Sequence, residues 1–274
     1  MRPPQKFLKA GLALGALALL CAGALFLYAR HQVEKTLEKE RKRVEPVSFP
    51  ADVREVGAMN LARLEGWKIF ATGREIRGIA LFENQIWAAT SGGLLSLSLD
   101  GRNSILYTRL NGLPDADVTC LAESEGKLFA GTGSGALLIV KNGLLSIITL
   151  RGMSLGPITA LISAPGGVII GTGESGVWRF DGRGVSDIGK GRAGADFKRI
   201  TALHRYRERL VVGTFDDGVF VEGLEGFSHY AEAQGLPMNQ VTSLGGESEL
   251  LHTLFLLAVG GDGRQRVTRG SIDL

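Results

Sequence analysis

The sequence predicts an all-β protein, a small β-propeller of four clear four-stranded blades plus a composite fifth, preceded by one N-terminal transmembrane helix. Two landmarks that recur about every 41 residues, and a run of twenty residues without charge near the start, predict this arrangement. Glycine, at 39 of 274 residues, is about twice as frequent as usual, as expected for a chain with many tight turns. A period of this length is typical of propeller blades, each built from four short strands.

The first element is the uncharged run of residues 10–29, which lies between Lys9 and Arg30. A helix of that length is about 30 Å long, which matches the hydrocarbon core of a bilayer. A cleaved signal peptide is the alternative, but the run is longer than usual for one, and residues 27–29 lack the small-x-small pattern of a cleavage site. We therefore predict that residues 1–30 form a cytoplasmic tail and a retained anchor, which contacts membrane lipid through residues 10–29.

The second element, residues 31–50, is predicted to be a charged helical stalk and linker. Glu38 lies four residues before Lys42, a spacing that supports a helix, and Pro46 and Pro50 cannot continue one. Basic residues lie on both sides of the uncharged run, so the positive-inside rule leaves the orientation open.

The net charge of +3 is unevenly distributed. Residues 1–43 contain nine Lys or Arg and three Glu, which leaves 22 basic and 25 acidic residues for the remainder. The larger part of the chain is therefore mildly acidic, and we expect no nucleic-acid partner, since that function needs a basic surface on the folded part.

Residues 51–274 are predicted to form the propeller. The first landmark is a β-branched residue that opens the first strand of each repeat, with spacings of 42, 40, 42 and 41 residues, at Ile76, Val118, Ile158, Ile200 and Val241. The second landmark follows about thirteen residues later and is a small residue before Thr, at Ala89-Thr90, Gly131-Thr132, Gly171-Thr172 and Gly213-Thr214. Apolar residues precede each of these pairs, which predicts a second strand that is covered on both faces.

Turn signals divide each repeat further. Ser175-Gly176 and Asp217-Gly218 predict hairpins between the second and third strands, where a residue with positive φ is needed. Asn142-Gly143 and Asp181-Gly182 predict the next turn, which leads to a fourth, outer strand.

The segment 111–132, which begins Asn-Gly-Leu-Pro and ends Phe-Ala-Gly-Thr, resembles the two-component-regulator propeller repeat. The shared features are a Gly-Leu-Pro turn, a strand that starts with Val, and an apolar run that ends in Gly-Thr. The match recurs at 235–241, whereas the junctions 151–157 and 194–198 depart from it. The resemblance implies a propeller of the kind found in extracytoplasmic sensor regions of bacterial signalling proteins, usually followed by an output domain that this sequence does not contain.

The fifth blade is predicted to be composite. Residues 66–72 resemble an outer strand, which would pair with strands after Val241 and close the ring. The expected Gly-Thr of this repeat falls instead at Leu254-Phe255, so the chain is atypical from about residue 245. A diverged closing blade and a truncated or frame-shifted remnant both remain open.

Two glycine-rich segments resemble nucleotide-binding loops. Residues 171–176 match G-x-G-x-x-G, but a predicted strand follows them where a helix should receive the pyrophosphate. Residues 184–190 have the spacing of a phosphate-binding loop, but Gly191 stands where Ser or Thr should bind magnesium. We therefore expect no cofactor.

No spacing of chemically reactive residues predicts an active site. The histidines, His31, His204, His229 and His252, show no metal-binding spacing, and Cys21 and Cys120 are not expected to form a disulfide. Asp115, Asp117 and Asp196 lie in loops between blades and could help to hold calcium, although turn formation is their commoner role. We predict no catalytic, cofactor-binding or metal-binding residue, and the ligand-binding residues stay unassigned.

These observations predict a membrane-anchored β-propeller that acts as a ligand- or protein-binding, sensor-like module without its own output domain. We expect a single-pass protein of the bacterial inner membrane with a periplasmic or extracellular propeller, and no enzymatic activity. The alternatives are a propeller enzyme, such as a calcium-assisted hydrolase or lyase, and a truncated remnant of a larger sensor protein.

Overall fold

The structure is a computed structural model that describes residues 31, 32, 35, 48–56, 75–150, 154–206, 208–245, 254–259 and 265–270. The predicted anchor at residues 10–29 and the predicted outer strand at residues 66–72 lie outside the described residues. Within the described part, none of the helices has the length and apolar character needed to cross a membrane.

Twenty β-strands make up the described fold, and the bounds of sixteen of them, β2 to β17 in chain order, follow the predicted repeat. Strand β1 is Ser48–Val56. Blade 1 contains β2 (Ile76–Phe82), β3 (Gln85–Thr90), β4 (Gly93–Ser98) and β5 (Ser104–Tyr107). Blade 2 contains β6 (Val118–Ser124), β7 (Lys127–Thr132), β8 (Leu137–Lys141) and β9 (Leu144–Leu150). Blade 3 contains β10 (Ile158–Ala164), β11 (Gly167–Thr172), β12 (Val177–Phe180) and β13 (Gly184–Asp187). Blade 4 contains β14 (Ile200–Tyr206), β15 (Arg209–Thr214), β16 (Val219–Glu222) and β17 (Phe227–Tyr230), and a last sheet contains β18 (Ser243–Gly245), β19 (Leu254–Val259) and β20 (Gln265–Gly270).

Each of the four blades is an antiparallel sheet whose strands are paired in chain order. The predicted hairpin turns are present, because Gly176 and Gly218 adopt positive φ values of 84° and 71°. A side chain at Gly218 would collide with the backbone carbonyl of Tyr230 in the adjacent strand. The four four-stranded blades predicted from the repeat are therefore confirmed.

The last sheet departs from the repeat in its register. In blades 1 to 4 a turn of two residues joins the first strand to the second, whereas residues 246–253 separate β18 from β19. Leu254 begins β19, although in the repeat this position is the last but one of the second strand. The sheet has three strands, β18–β19–β20, and the fourth, predicted from residues 66–72, lies outside the described residues.

The packing between blades explains why the two landmarks keep the same period. Val118, Ile158, Ile200 and Val241 are almost completely buried. A Cβ atom added to Gly171 would lie 2.7 Å from Cγ2 of Ile200, and one added to Gly213 would lie 2.7 Å from Cγ1 of Val241. Ile200 and Val241 thus pack on the small residue of the preceding blade, where no larger side chain fits.

The threonine after the small residue closes the adjacent hairpin. The hydroxyl of Thr172 donates a hydrogen bond to the carbonyl of Gly176 at 2.9 Å, and the hydroxyl of Thr214 donates one to the carbonyl of Gly218 at 3.0 Å. The same hydroxyls accept from the backbone N–H groups of Ser175 and Asp217. Buried Thr therefore satisfies polar backbone groups that the tight turn would leave unpaired.

Residues 48–50, which the sequence-based prediction assigns to the linker, form the start of strand β1. These residues pair antiparallel with β13, and residues 51–56 pair with β9. The strand joins the outer edges of blades 2 and 3 into one nine-stranded sheet. The physical reason is that an outer strand exposes unpaired N–H and C=O groups, which an extended neighbouring segment can satisfy.

Candidate functional site

The loop ends of blades 3 and 4 enclose two adjoining depressions of about 400 and 590 Å³. Both are lined by Glu174 from the β11–β12 hairpin and by Asp196 and Lys198 from the loop before β14. The β15–β16 hairpin completes the second one with Asp216 and Asp217. We refer to these two spaces together as the blade 3–4 depression.

The loop of residues 188–199 forms much of the wall, and Arg192 attaches it to blade 4. The Arg192 guanidinium lies 2.7 Å from the Glu222 carboxylate and donates a second hydrogen bond to the carbonyl of Gly223. Its carbon atom Cζ stands 4.7 Å from the centre of the Phe227 ring. The backbone N–H of Phe227 also donates to the carbonyl of Ala193 at 2.8 Å. Side-chain and backbone contacts therefore hold this loop against blade 4.

A buried aromatic residue fixes the end of the same loop. The Phe197 ring packs edge-on against Phe220 and Phe227, with centroids 5.4 and 5.0 Å apart. At the other junctions, the buried residue just before the first strand is Leu113, Leu155 or Leu236. Phe197 thus takes the place of a leucine, and the residues on either side of it, Asp196 and Lys198, are exposed.

Charged groups of both signs surround the depression. Arg199 pairs with Asp216 at 2.7 Å and lies 4.1 Å above the centre of the Phe215 ring. Asp196 is 94% exposed at its side chain and lies 3.9 Å from Lys198. Lys190 also lines the wall, where Asp187 accepts hydrogen bonds from the backbone N–H groups of Gly189 and Lys190. Such a surface can bind a polar ligand or a protein segment that carries charges of either sign.

The three aspartates considered for calcium lie at two different junctions. Asp115 accepts hydrogen bonds from the N–H groups of Asp117 and Ser134, which is the turn-forming role. Asp117 forms an ion pair of 2.6 Å with Arg77 across blades 1 and 2. Asp196 instead lines the blade 3–4 depression. In the part of the chain that the structure describes, no group of three or more His, Cys, Asp or Glu side chains is placed to hold a metal ion.

The cysteines and histidines considered from the sequence lie apart from the blade 3–4 depression, at its edge, or outside the described residues. Burial raises the pKa of the Cys120 thiol to about 11, and burial lowers the pKa of His204. His229 stacks on Phe220 and pairs with Asp217 at 3.2 Å. His31 is exposed, and His252 and Cys21 lie outside the described residues.

The two glycine-rich segments have the strand–turn–strand context expected of the repeat. Residues 171–176 join β11 to β12, and Gly184 begins β13. A helix does not follow either segment within the described residues 177–206. The nucleotide-loop resemblance of these segments therefore comes from the turns of the propeller.

The sequence did not single out Arg192, Glu222 or Phe197 for this site. The available signal was the departure of junction 194–198 from the Gly-Leu-Pro pattern, together with Gly189, Gly191 and Gly194 in one loop. That departure marks the junction where the loop makes its own contacts with blade 4.

Comparison with solved structures places the fold among β-propellers. The chain is similar to two extracellular domains of hybrid two-component systems from B. thetaiotaomicron, with TM-scores of 0.58 and 0.54 at 19% and 22% identity. The matches cover 69% and 66% of this chain, but only 26% of each of those domains. It is also similar to YCF48 from Cyanidioschyzon merolae, with a TM-score of 0.50 at 11% identity, over 76% of this chain and 68% of that one.

No family model and no curated protein matches the chain. At these identities the likeness to solved structures shows the fold alone, which is all-β and propeller-like. The chain spans about a quarter of the length of the two extracellular domains that it resembles.

Proposed function

We propose that this protein is a membrane-anchored, sensor-like binding module that contacts a ligand or a partner protein through the blade 3–4 depression. In this proposal residues 10–29 hold the chain in a bacterial inner membrane, and the propeller lies on the periplasmic or extracellular side. The observation that carries the proposal is that the loop of residues 188–199, which departs from the repeat, forms the wall of a charged depression.

The construction of this loop supports a role beyond joining two blades. Phe197 already supplies the buried apolar residue that each junction needs. The further contacts of Arg192 with Glu222 and Phe227 hold the rest of the loop in one conformation. Binding residues commonly lie on loops that a rigid scaffold positions, and a loop held in this way loses little entropy on binding.

The charges suggest the chemistry of the bound group. Lys190 and Lys198 can contact an anionic group, while Glu174 and Asp196 can contact a cationic one. Because both signs lie within one open depression, we propose a polar ligand with charges of both signs or a protein surface of mixed charge. Neither requires a catalytic group, so we propose binding without an enzymatic step.

Site-specific photo-crosslinking in the producing cells tests the use of this surface. A benzophenone side chain is introduced at Asp196 in the full chain, and a matched variant carries it at Arg183. Arg183 is exposed and belongs to the β12–β13 turn of blade 3, at the opposite end of the strands. We expect adducts from position 196 that the additional change Lys198→Glu weakens. Equal adducts from both positions, or none from position 196, would contradict the proposal.

A fusion experiment tests the proposed orientation separately. Alkaline phosphatase, which is active only outside the cytoplasm, and a reporter that is active only in the cytoplasm are each fused after Leu274. The proposal expects activity from the phosphatase fusion and none from the other. The reverse pattern would place the propeller on the cytoplasmic side. It would contradict the proposed orientation but not the binding surface, which the crosslinking experiment tests.

A further inference from the structure

We propose that a cleft between blades 2 and 3 binds a small anionic amphiphile, a carboxylate that carries a short aliphatic chain. The cleft, called here the blade 2–3 cleft, has a volume of about 320 Å³. Asn142 of the β8–β9 turn and Gly182 of the β12–β13 turn line it, so it lies at the end of the strands opposite to the blade 3–4 depression. The inference concerns a second site and does not depend on the proposed function.

Two lysines, Lys127 of β7 and Lys141 of β8, line the blade 2–3 cleft. The register of these strands, in which Leu128 lies opposite Val140, also places the two lysines opposite each other. Like charges directly opposite on adjacent strands destabilise a sheet. In the part of the chain that the structure describes, neither ammonium group forms an ion pair with an acidic side chain. An anion bound between the two lysines would remove their repulsion.

The propeller repeat does not require this pair of lysines. At the equivalent pair of positions the other described blades carry Gln85 and Ser98 in blade 1, Gly167 and Asp181 in blade 3, and Arg209 and Gly223 in blade 4. Among these four blades, only blade 2 has two basic residues there. The pair is therefore a feature of blade 2 and not a consequence of the fold.

Apolar side chains lie beside the two cations. Leu144, the first residue of β9, is 49% exposed and corresponds to Gly184 and Gly226 in blades 3 and 4. Val53, which is 54% exposed, comes from β1, a strand that is not part of the repeat. The buried Phe180 ring also lines the cleft. Blade 2 and β1 thus add apolar surface that the repeat does not supply.

Two carboxylates at the same end of the blades are bound to backbone donors. Glu83 accepts hydrogen bonds from the N–H groups of Asn142 and Gly143, which fixes the turn beside the cleft. Glu125 accepts one from the N–H of Gly166 at 2.6 Å. Neither carboxylate pairs with the two lysines, which leaves both ammonium groups available to a ligand.

The chemistry of the cleft defines the class of its occupant. Two ammonium groups bind a carboxylate through charge-assisted hydrogen bonds, and the adjacent apolar side chains favour an aliphatic chain. The volume is at the lower end of the range for small-molecule pockets, which favours a short chain. Residues 57–74, which follow β1, do not offer complementary charge, because they contain one acidic residue, Glu65, and three basic ones, Arg63, Lys68 and Arg74.

Photolabelling of the full chain in phosphatidylcholine nanodiscs tests the site. The probe is octanoate with a diazirine near the end of its chain, and the matched probe has a trimethylammonium group in place of the carboxylate. Mass spectrometry identifies the labelled peptides. We expect the carboxylate probe to label peptides that contain Val53 or Leu144, and unlabelled octanoate to protect them. The cationic probe should label them about tenfold less, because like charges would face each other.

Removal of the two lysine charges is the first variant. Lys127→Gln together with Lys141→Gln should reduce the labelling about tenfold, since the charge-assisted contacts are lost. Arg109→Gln together with Arg209→Gln is the matched control, which removes two exposed positive charges outside the cleft and should leave the labelling unchanged. The lysine variant should melt at no lower temperature than the unmodified protein, because it removes a like-charge pair.

A second variant separates an amphiphile site from a simple anion site. Octanoate should protect the unmodified protein at a concentration about tenfold or more below that of acetate, because its additional methylene groups leave water. Leu144→Ala should narrow this difference and leave protection by acetate unchanged.

Glu55→Gln is the third variant, because Glu55 lies opposite Ser146 in the β1–β9 register. It should leave the labelling unchanged. A several-fold rise in labelling would show that a carboxylate of the same chain takes the place of the ligand.

Four further outcomes would overturn the proposal. Equal labelling by the two probes would show an apolar surface without a role for the lysines, as would undiminished labelling of the lysine variant. Equal protection by acetate and octanoate would show an anion site without an apolar part. Protection by phosphatidylglycerol vesicles but not by octanoate would assign the lysines to contact with a membrane surface.

Discussion

Blade 4 and blade 1 carry the same type of residue at the start of their first strand, in opposite surroundings. Ile200 packs on Gly171 of blade 3 and is 1% exposed, whereas Ile76 is 57% exposed. The side chains are identical, so the difference lies only in whether a preceding blade covers them. A propeller repeat therefore needs a neighbouring blade to bury the first residue of its first strand, as expected for repeat proteins whose units cannot bury an apolar face alone.

The largest expected effect comes from shortening the two isoleucines. Ile200→Ala should lower the free energy of unfolding by about 3 to 4 kcal/mol, because it leaves a cavity between blades 3 and 4. Ile76→Ala should cost less than about 1 kcal/mol, since solvent already reaches this side chain. Urea unfolding of both variants, followed by tryptophan fluorescence, gives the difference. Equal losses in the free energy of unfolding would mean that Ile76 is covered in solution, and the contrast drawn between blades 1 and 4 would then be wrong.

A smaller effect is expected when Gly171, on which Ile200 packs, is changed instead of Ile200. A methyl group at Gly171 would lie 2.7 Å from Ile200 and 3.3 Å from Leu203, so Gly171→Ala should cost about 1 to 3 kcal/mol through overpacking. Gly245→Ala is the matched control, because no atom lies within 4 Å of the added carbon. Thermal unfolding of the two variants measures the effect, and a stable Gly171→Ala variant would show that blades 3 and 4 separate easily.

The smallest effect concerns the ion pairs at the same junction. Arg192→Ala removes the partner of Glu222, which is largely shielded from solvent and also accepts a hydrogen bond from the N–H of Leu210 at 2.9 Å. We expect a loss of about 1 to 2 kcal/mol, as for a hydrogen bond to a charged group. Arg199→Ala, which breaks the exposed pair with Asp216, should cost less than about 1 kcal/mol.

The two ion pairs should also differ in how their contribution to stability depends on salt. Screening should weaken the Arg199–Asp216 pair more than the Arg192–Glu222 pair, since both partners of the former are about half exposed. Denaturant titrations at low and high ionic strength measure this difference. If Arg199→Ala were the more harmful change, the exposed Arg199–Asp216 pair, and not the Arg192–Glu222 pair, would be the main attachment of the loop of residues 188–199 to blade 4.

Most of the blade architecture could be predicted from local patterns. The period, the two landmarks and the turns at Gly176 and Gly218 all follow from steric requirements that recur in each blade. Such requirements act between residues a few positions apart or one repeat apart, so they leave a periodic trace in the sequence. The resemblance to a sensor-type propeller repeat rested on the same trace, and the similar solved structures agree with it at the level of the fold.

The candidate site was predicted less well, because its contacts do not recur from one blade to the next. Asp196 was singled out, but as one of three aspartates for calcium, whereas the structure separates it from Asp115 and Asp117. The contact of Arg192 with Glu222 joins residues thirty positions apart, and among the described residues it occurs at one junction only. A contact that does not recur leaves no periodic signal.

The sequence by itself thus determined the all-β repeat, the number of clear blades and the places of their turns. Only the tertiary structure decided that Ser48–Val56 joins blades 2 and 3, that loop 188–199 packs on blade 4, and that Ile79 and Leu81 of blade 1 are exposed. The physical reason is that strand edges and sheet faces are generic surfaces. Hydrogen-bond geometry and apolar packing allow many partners for each of them, and the folded chain selects one.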